Sequence, residues 1–176
     1  MKLYIIPGEG ETKRKKSYSQ IARSAKGLEV RYVRADFNKE TLSAILTRLD
    51  DLEEKSVLIG FSTGGLIAYC LSMKKFFSNV IVCSPSPFLK KNLSHLPSAV
   101  KRGLGKKLIQ DLEHYTYRKS KAKKLMLICG EKEEKLLVQN VKDLGKLNKI
   151  TPTLIKDAGH AMTQGYVDEV IKKLHN

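Results

Sequence analysis

Short runs of β-branched and aliphatic residues alternate with helical patterns along the whole chain. The runs fall at Lys2–Ile6, Leu28–Arg34, Ser56–Ile59, Asn79–Cys83, Lys124–Cys129 and Thr151–Lys156. Between them, helical spacing is read over Lys13–Lys26, Lys39–Glu54, Thr63–Phe77, Glu134–Leu147 and Gln164–Leu174, with a long irregular span at Pro85–Lys123. The second helical stretch shows its face plainly, since Leu42, Ile45, Leu46, Leu49 and Leu52 recur at three- and four-residue steps. Short apolar strands separated by helices predict an α/β fold: a mostly parallel six-stranded sheet with helices on both faces. Right-handed crossovers then place the functional loops at the carboxyl ends of the strands.

The residues that follow each run agree with that placement. Pro7-Gly8-Glu9-Gly10 follows the first and Ser84-Pro85-Ser86-Pro87-Phe88 the fourth. Gly130-Glu131-Lys132-Glu133-Glu134 follows the fifth and Asp157-Ala158-Gly159-His160 the sixth. The third run leads into Gly60-Phe61-Ser62-Thr63-Gly64-Gly65 and then a helix-forming stretch. A serine on such a strand-to-helix turn projects its hydroxyl from the sheet edge, and small flanking residues tolerate the tight backbone. The free N–H groups of the helix start then face any negative charge that develops beside it. The plainer alternative is a junction in which Ser62 serves only as an N-cap.

A nucleophilic serine needs a base, and His160 is the candidate. It follows the last strand in Ala158-Gly159-His160, whereas His95, His114 and His175 read as surface or core residues. An imidazole near its ordinary pKa takes the serine proton and returns it to a leaving group. A carboxylate must then hold the far ring nitrogen in the correct tautomer. Glu133 lies between Ser62 and His160 in sequence, three residues beyond Gly130. Its alternative is a solvated acid at a helix start, in a turn with three glutamates in four positions.

Taken together, Gly60-x-Ser62-x-Gly64, Gly130-x-x-Glu133 and Ala158-Gly159-His160 resemble the α/β-hydrolase family, in particular its small single-domain members, over residues 2 to 174. The resemblance implies a Ser62–Glu133–His160 triad. It also implies an oxyanion hole from the backbone N–H groups of Thr63 and of Glu9 in the Gly8-Glu9 turn. The acid at this position is more often Asp in the family. The carboxylates of Glu9 and Glu11 would oppose an oxyanion there unless they turn outward. The activity implied is that of a serine hydrolase of carboxylesterase type: acyl transfer from a small ester or acyl substrate through an acyl-enzyme, with no metal or organic cofactor. Pro85–Lys123 stands where family members insert a cap, so residues 85–123 read as a possible cap segment within a single domain of residues 1–176. Phe88 and Leu93 would line a substrate pocket there, or else form the buried face of ordinary helices.

Composition closes off other classes. The chain of 176 residues suits one domain with a real core. No apolar run approaches the ~18 residues of a membrane span. The opening Met1-Lys2-Leu3-Tyr4-Ile5-Ile6-Pro7-Gly8 reads as a first strand rather than a signal peptide. The three cysteines form no CxxC pair and sit in apolar runs, which predicts buried free thiols and a cytoplasmic protein. Thirty-three basic residues against eighteen acidic give a net charge of +15, which favours anionic surroundings. The lysines are scattered and lack aromatic interleaving, so no specific nucleic-acid partner is expected. Two other classes remain open: a non-catalytic hydrolase-like scaffold that binds a ligand or partner, and a basic binder of nucleic acid or anionic surfaces.

Overall fold

A computed structural model describes the chain apart from Asn38, Pro97 and Asn176, and apart from the side chains of residues 99–105. The sheet has six strands in the order β2-β1-β3-β4-β5-β6: β1 (Lys2–Ile6), β2 (Glu29–Tyr32), β3 (Val57–Phe61), β4 (Asn79–Cys83), β5 (Lys124–Gly130) and β6 (Thr153–Ile155). Every neighbouring pair is parallel. The helices are α1 (Lys16–Ser24), α2 (Leu42–Arg48), α3 (Thr63–Lys74), α4 (Ser98–Glu113), α5 (Lys135–Asn148) and α6 (Gln164–His175). Described helices include none long and apolar enough to cross a membrane.

Strand alternation sorts these helices onto two faces, because successive side chains point to opposite sides of a sheet. Tyr4, Ile6, Leu58, Val80, Val82, Leu127 and Cys129 join one core with residues of α2, α3, α4 and α5. Leu3, Ile5, Val57, Ile59, Phe61, Ile81, Cys83 and Ile128 join the other with α1 and α6. β1, β3, β4 and β5 are therefore apolar on both sides, as a doubly covered sheet requires.

α1, α2 and α3 are shorter than the periodicity suggests, whereas α5 and α6 match it to within one residue at each end. α1 begins at Lys16, because the run Lys13-Arg14-Lys15 supplies no capping side chain and stays in the loop. Thr41 caps α2 by accepting the Ala44 N–H at 3.2 Å. Asp50 and Asp51 follow its last turn, where the helix dipole disfavours negative charge, and the helix stops at Arg48. Leu49 and Leu52 still reach the core from the turn that follows.

The span Pro85–Lys123 is more ordered than its sequence suggests. It holds a 3₁₀ turn at Lys90–His95, then α4, then an extended strap. α4 packs against α2, and Asp111 accepts the Ser43 N–H at 3.0 Å. The strap crosses the outer side of α3, where Lys121 N–H bonds the Ser72 carbonyl and Tyr69 O–H bonds the Arg118 carbonyl at 2.9 Å. That cover explains α3, whose residues 64–72 are all buried: a helix apolar all round must be enclosed on every side.

Candidate active site

The elbow is built from close backbone approaches. Ser62 lies between β3 and α3 with φ 55° and ψ −119°, a conformation L-residues rarely hold. It persists because its neighbours over-determine it. Its N–H donates to the Cys83 carbonyl at 2.9 Å, and its carbonyl accepts from Ser86 and Leu66, both at 3.0 Å. A Cβ on Gly64 would lie 2.1 Å from the Ile6 carbonyl oxygen, and one on Gly60 would lie 2.1 Å from that of Gly64. At Gly64 the backbone cannot yield without parting β1 from the elbow, and at Gly60 not without parting β3 from the start of α3. Gly64→Ala is thus expected to cost about 3 kcal/mol or more, the upper range of overpacking. At roughly 2–4 °C per kcal/mol for a chain of this size, melting should fall by ~6–12 °C in a thermal scan.

Ser62 does not act as a capping side chain. Its hydroxyl lies 3.0 Å from His160 Nε2, and His160 Nδ1 lies 2.8 Å from Glu133 Oε2. With Nδ1–H donating to the carboxylate, Nε2 is left to accept the serine proton. Two loops bring the pair together. Lys132 N–H donates to the Ala158 carbonyl at 2.8 Å and Glu131 N–H to the Ile155 carbonyl at 3.0 Å, joining the turn after β5 to the end of β6. The Phe61 ring lies against the imidazole, with centroids 5.2 Å apart. Of the three clustered glutamates, Glu131 and Glu134 are exposed, while the Glu133 side chain is fully buried.

The electrostatics follow from these contacts. Burial works to raise the Glu133 pKa, but hydrogen bonds from His160, Ser84 and the Gly130 N–H outweigh it and hold the carboxyl below its ordinary value. The bond to Glu133 raises the His160 pKa above its ordinary value, with burial pulling the other way. Cys70, Cys83 and Cys129 are free and buried. Burial pushes the Cys70 and Cys129 thiols up to about 12, so they are poor nucleophiles. Among the described residues, no three His, Cys, Asp or Glu side chains converge to hold a metal ion.

The loop after β1 reaches over the start of α3. Glu9 N–H donates to Thr63 Oγ1 at 2.7 Å. Glu9 does turn outward, its carboxylate accepting the Phe37 N–H at 3.1 Å. Glu11 does not. It folds back to accept the Gly8 N–H at 3.2 Å, together with the Tyr18 hydroxyl and the Lys15 ammonium. Those three donors compensate its charge, and the carboxylate thereby occupies the Gly8 N–H.

Beside this loop, a cavity of about 710 Å³ runs between Gly8, Glu9 and Glu11 on one side and Tyr32 and Arg34 on the other. A smaller one of about 250 Å³ lies between Pro87, Tyr117 and Leu144. Leu93 is a core side chain and Phe88 is half-buried against the same core. Neither lines either cavity. The basic residues Lys13, Arg14, Lys106, Lys107, Lys119 and Lys121 are exposed, spread over the loop before α1, α4 and the strap. The side chains of Lys101 and Arg102 lie outside the described residues.

Sequence reading missed three contributors here. Ser84 was visible only as one polar residue of the loop after β4, Tyr166 only as part of a helix, and the Thr63 hydroxyl not at all. Each acts through a contact between elements far apart in the chain, for which local pattern carries no signal.

Sequence comparison finds no matching family model and no matching curated protein. Comparison of structures does find likenesses. Est1E from Butyrivibrio proteoclasticus superposes with a TM-score of 0.76 at 14% identity, covering 98% of this chain and 84% of that one. Alpha/beta hydrolase domain-containing protein 10 from mouse gives 0.72 at 16%, covering 98% and 87%. The ydeN gene product from B. subtilis gives 0.72 at 14%, covering 99% and 98%. The chain has the α/β-hydrolase fold, as a small protein spanning almost the full length of the ydeN product.

Proposed function

We propose that this chain is a serine hydrolase that cleaves a small ester or acyl substrate through an acyl-enzyme. The observation that carries the reading is the continuous hydrogen-bonded chain from Ser62 through His160 to Glu133, mounted on a strained strand-to-helix turn. Neighbours of the same fold whose names carry the word hydrolase, the mouse alpha/beta hydrolase domain-containing protein 10 among them, support the same reaction class.

Ser62 Oγ attacks the carbonyl carbon while its proton passes to His160 Nε2. The imidazolium so formed is offset by the buried Glu133 carboxylate. The oxyanion is held by the N–H groups of Thr63, at the start of α3, and of Glu9. Glu9 N–H must exchange its bond to the Thr63 hydroxyl for one to the oxyanion. His160 then protonates the departing oxygen and the alcohol leaves. Water attacks the acyl carbon, gives a proton back through His160, and releases the acid and free Ser62.

The test is fluorophosphonate labelling of the purified protein, mapped by mass spectrometry, beside a series of aryl esters of increasing acyl length. A label on Ser62 and turnover of the short esters are expected. No label and no turnover would overturn the reading. The pH dependence carries a further expectation. Protonating His160 removes the base, so kcat/KM must fall as pH drops through its pKa. Because pairing with Glu133 raises that pKa, the acid limb should have its midpoint above ~6.5, the ordinary histidine value. Glu133 is shifted down, so it stays ionised across this limb.

A further inference from the structure

We propose that Ser84 and Tyr166 form a buried hydroxyl relay that positions the Glu133 carboxylate toward His160 and keeps it ionised. The proposal rests on the serine-hydrolase reading and adds two positioning residues to it.

Ser84 is the first residue after β4, wholly buried, with φ 44°. A glycine would take that backbone freely, whereas a serine there holds strain. Its N–H donates to the Ile128 carbonyl at 2.8 Å, which extends the β4–β5 ladder and aims the side chain at the turn after β5. There its hydroxyl meets Glu133 Oε1. Tyr166, wholly buried on α6, places its phenol 2.7 Å from Ser84 Oγ and 3.1 Å from the Ile128 carbonyl.

Proton counting sets the direction of the relay. An ionised carboxylate only accepts, so the Ser84 proton points at Oε1. Ser84 Oγ is then an acceptor. The single Tyr166 phenol proton has two acceptors within reach, Ser84 Oγ at 2.7 Å and the Ile128 carbonyl at 3.1 Å, and in the relay it goes to the nearer. The relay runs from Tyr166 O–H to Ser84 and from Ser84 O–H to Glu133. Gly130 N–H adds a second donor to Oε1 at 2.8 Å, and His160 takes Oε2. A glutamate has three side-chain torsions to immobilise, and these two donors hold one oxygen so that the other faces the imidazole. Without Ser84, the buried carboxylate keeps one donor on Oε1 against the full cost of its burial. The other titratable groups around it are the thiols of Cys83 and Cys129 and the Tyr166 phenol, and burial keeps all three neutral. His160 also feels the carboxylates of Glu11 and Glu134.

Two variants separate this role from packing. Ser84→Gly removes the hydroxyl while relieving the positive φ, so the fold is retained. Tyr166→Phe removes one oxygen and keeps the ring that meets Phe61 edge-on. A hydrogen bond to a charged group corresponds to roughly 10–100-fold in rate when it acts on the reacting assembly. Ser84→Gly should therefore lower kcat about 10–100-fold on an aryl ester with KM within about two-fold, and Tyr166→Phe should have a smaller effect of the same kind. Independently of turnover, the downfield proton NMR signal of His160 Nδ1–H, assigned by its loss in His160→Gln, should broaden or move upfield in both. Wild-type kcat with an unmoved Nδ1–H signal would overturn the proposal, as would a fall in melting temperature with that signal intact. Because the NMR signal reports the Glu133–His160 bond itself, it still decides the relay if Ser62 proves not to be the nucleophile.

Discussion

Ser62→Ala is expected to abolish both fluorophosphonate labelling and ester turnover. The substitution leaves His160, Glu133 and the backbone donors in place and removes only the atom that forms the acyl-enzyme. What survives is catalysis by binding and oxyanion donors, so kcat should fall by roughly 10⁴–10⁶. Stability should hardly change. The hydroxyl is partly exposed and, among the described residues, its side-chain partner is the half-exposed His160. Alanine keeps the strain at φ 55°, whereas Ser62→Gly should relieve it and melt higher than wild type while being equally inactive. A more stable but dead glycine variant is the signature of strain held for function. Turnover retained in Ser62→Ala would sink the proposed mechanism outright.

How far such a site is legible in sequence depends on whether its cause is local. The strands of the sheet interior are, because Val57-Leu58-Ile59 and Asn79–Cys83 are apolar on both faces and end at turn residues. The edge strands are less so. β2 alternates exposed and half-buried residues and β6 has three residues, so their ends are set by pairing with β1 and β5 rather than by composition. The span Pro85–Lys123 was opaque for a related reason. Its extended strap is held by backbone bonds to Ser72 and Phe77, which any sequence could make, and its purpose is to cover α3.

The strand-to-loop rule brought Ser62, Glu133 and His160 to one sheet edge from positions 98 residues apart at the extremes. It could not bring in the hydroxyl of Tyr166, which reaches Ser84 only because α6 packs across β4 and β5. Nor could it tell the fate of Glu9 and Glu11. Adjacent in the same loop but for Gly10, one carboxylate is taken by the Phe37 N–H and the other by Gly8, Tyr18 and Lys15.

Glu133→Gln should be nearly as damaging as loss of the nucleophile, for a reason specific to this pocket. Oε1 accepts from Ser84 O–H and Gly130 N–H, and both partners are donors. In the variant, only the amide oxygen can satisfy them, so the amide nitrogen must occupy the Oε2 position facing His160. There it donates, and Nδ1 can meet it only as an acceptor. The imidazole proton is thereby driven to Nε2, and a protonated Nε2 cannot take the proton from Ser62. The buried donors thus enforce the wrong tautomer. A fall in kcat of about 10⁴ is expected, with little change in KM, as for other triads whose acid is made an amide. Glu131→Gln and Glu134→Gln should stay within about two-fold of wild type, because both side chains are exposed and neither bonds His160. Removing the carboxylate also removes what raises the His160 pKa, so any residual activity should show its acid limb at lower pH than wild type. Steady-state kinetics on the three variants across pH decides the matter, and a larger loss at Glu134 than at Glu133 would place the acid one residue further along the chain.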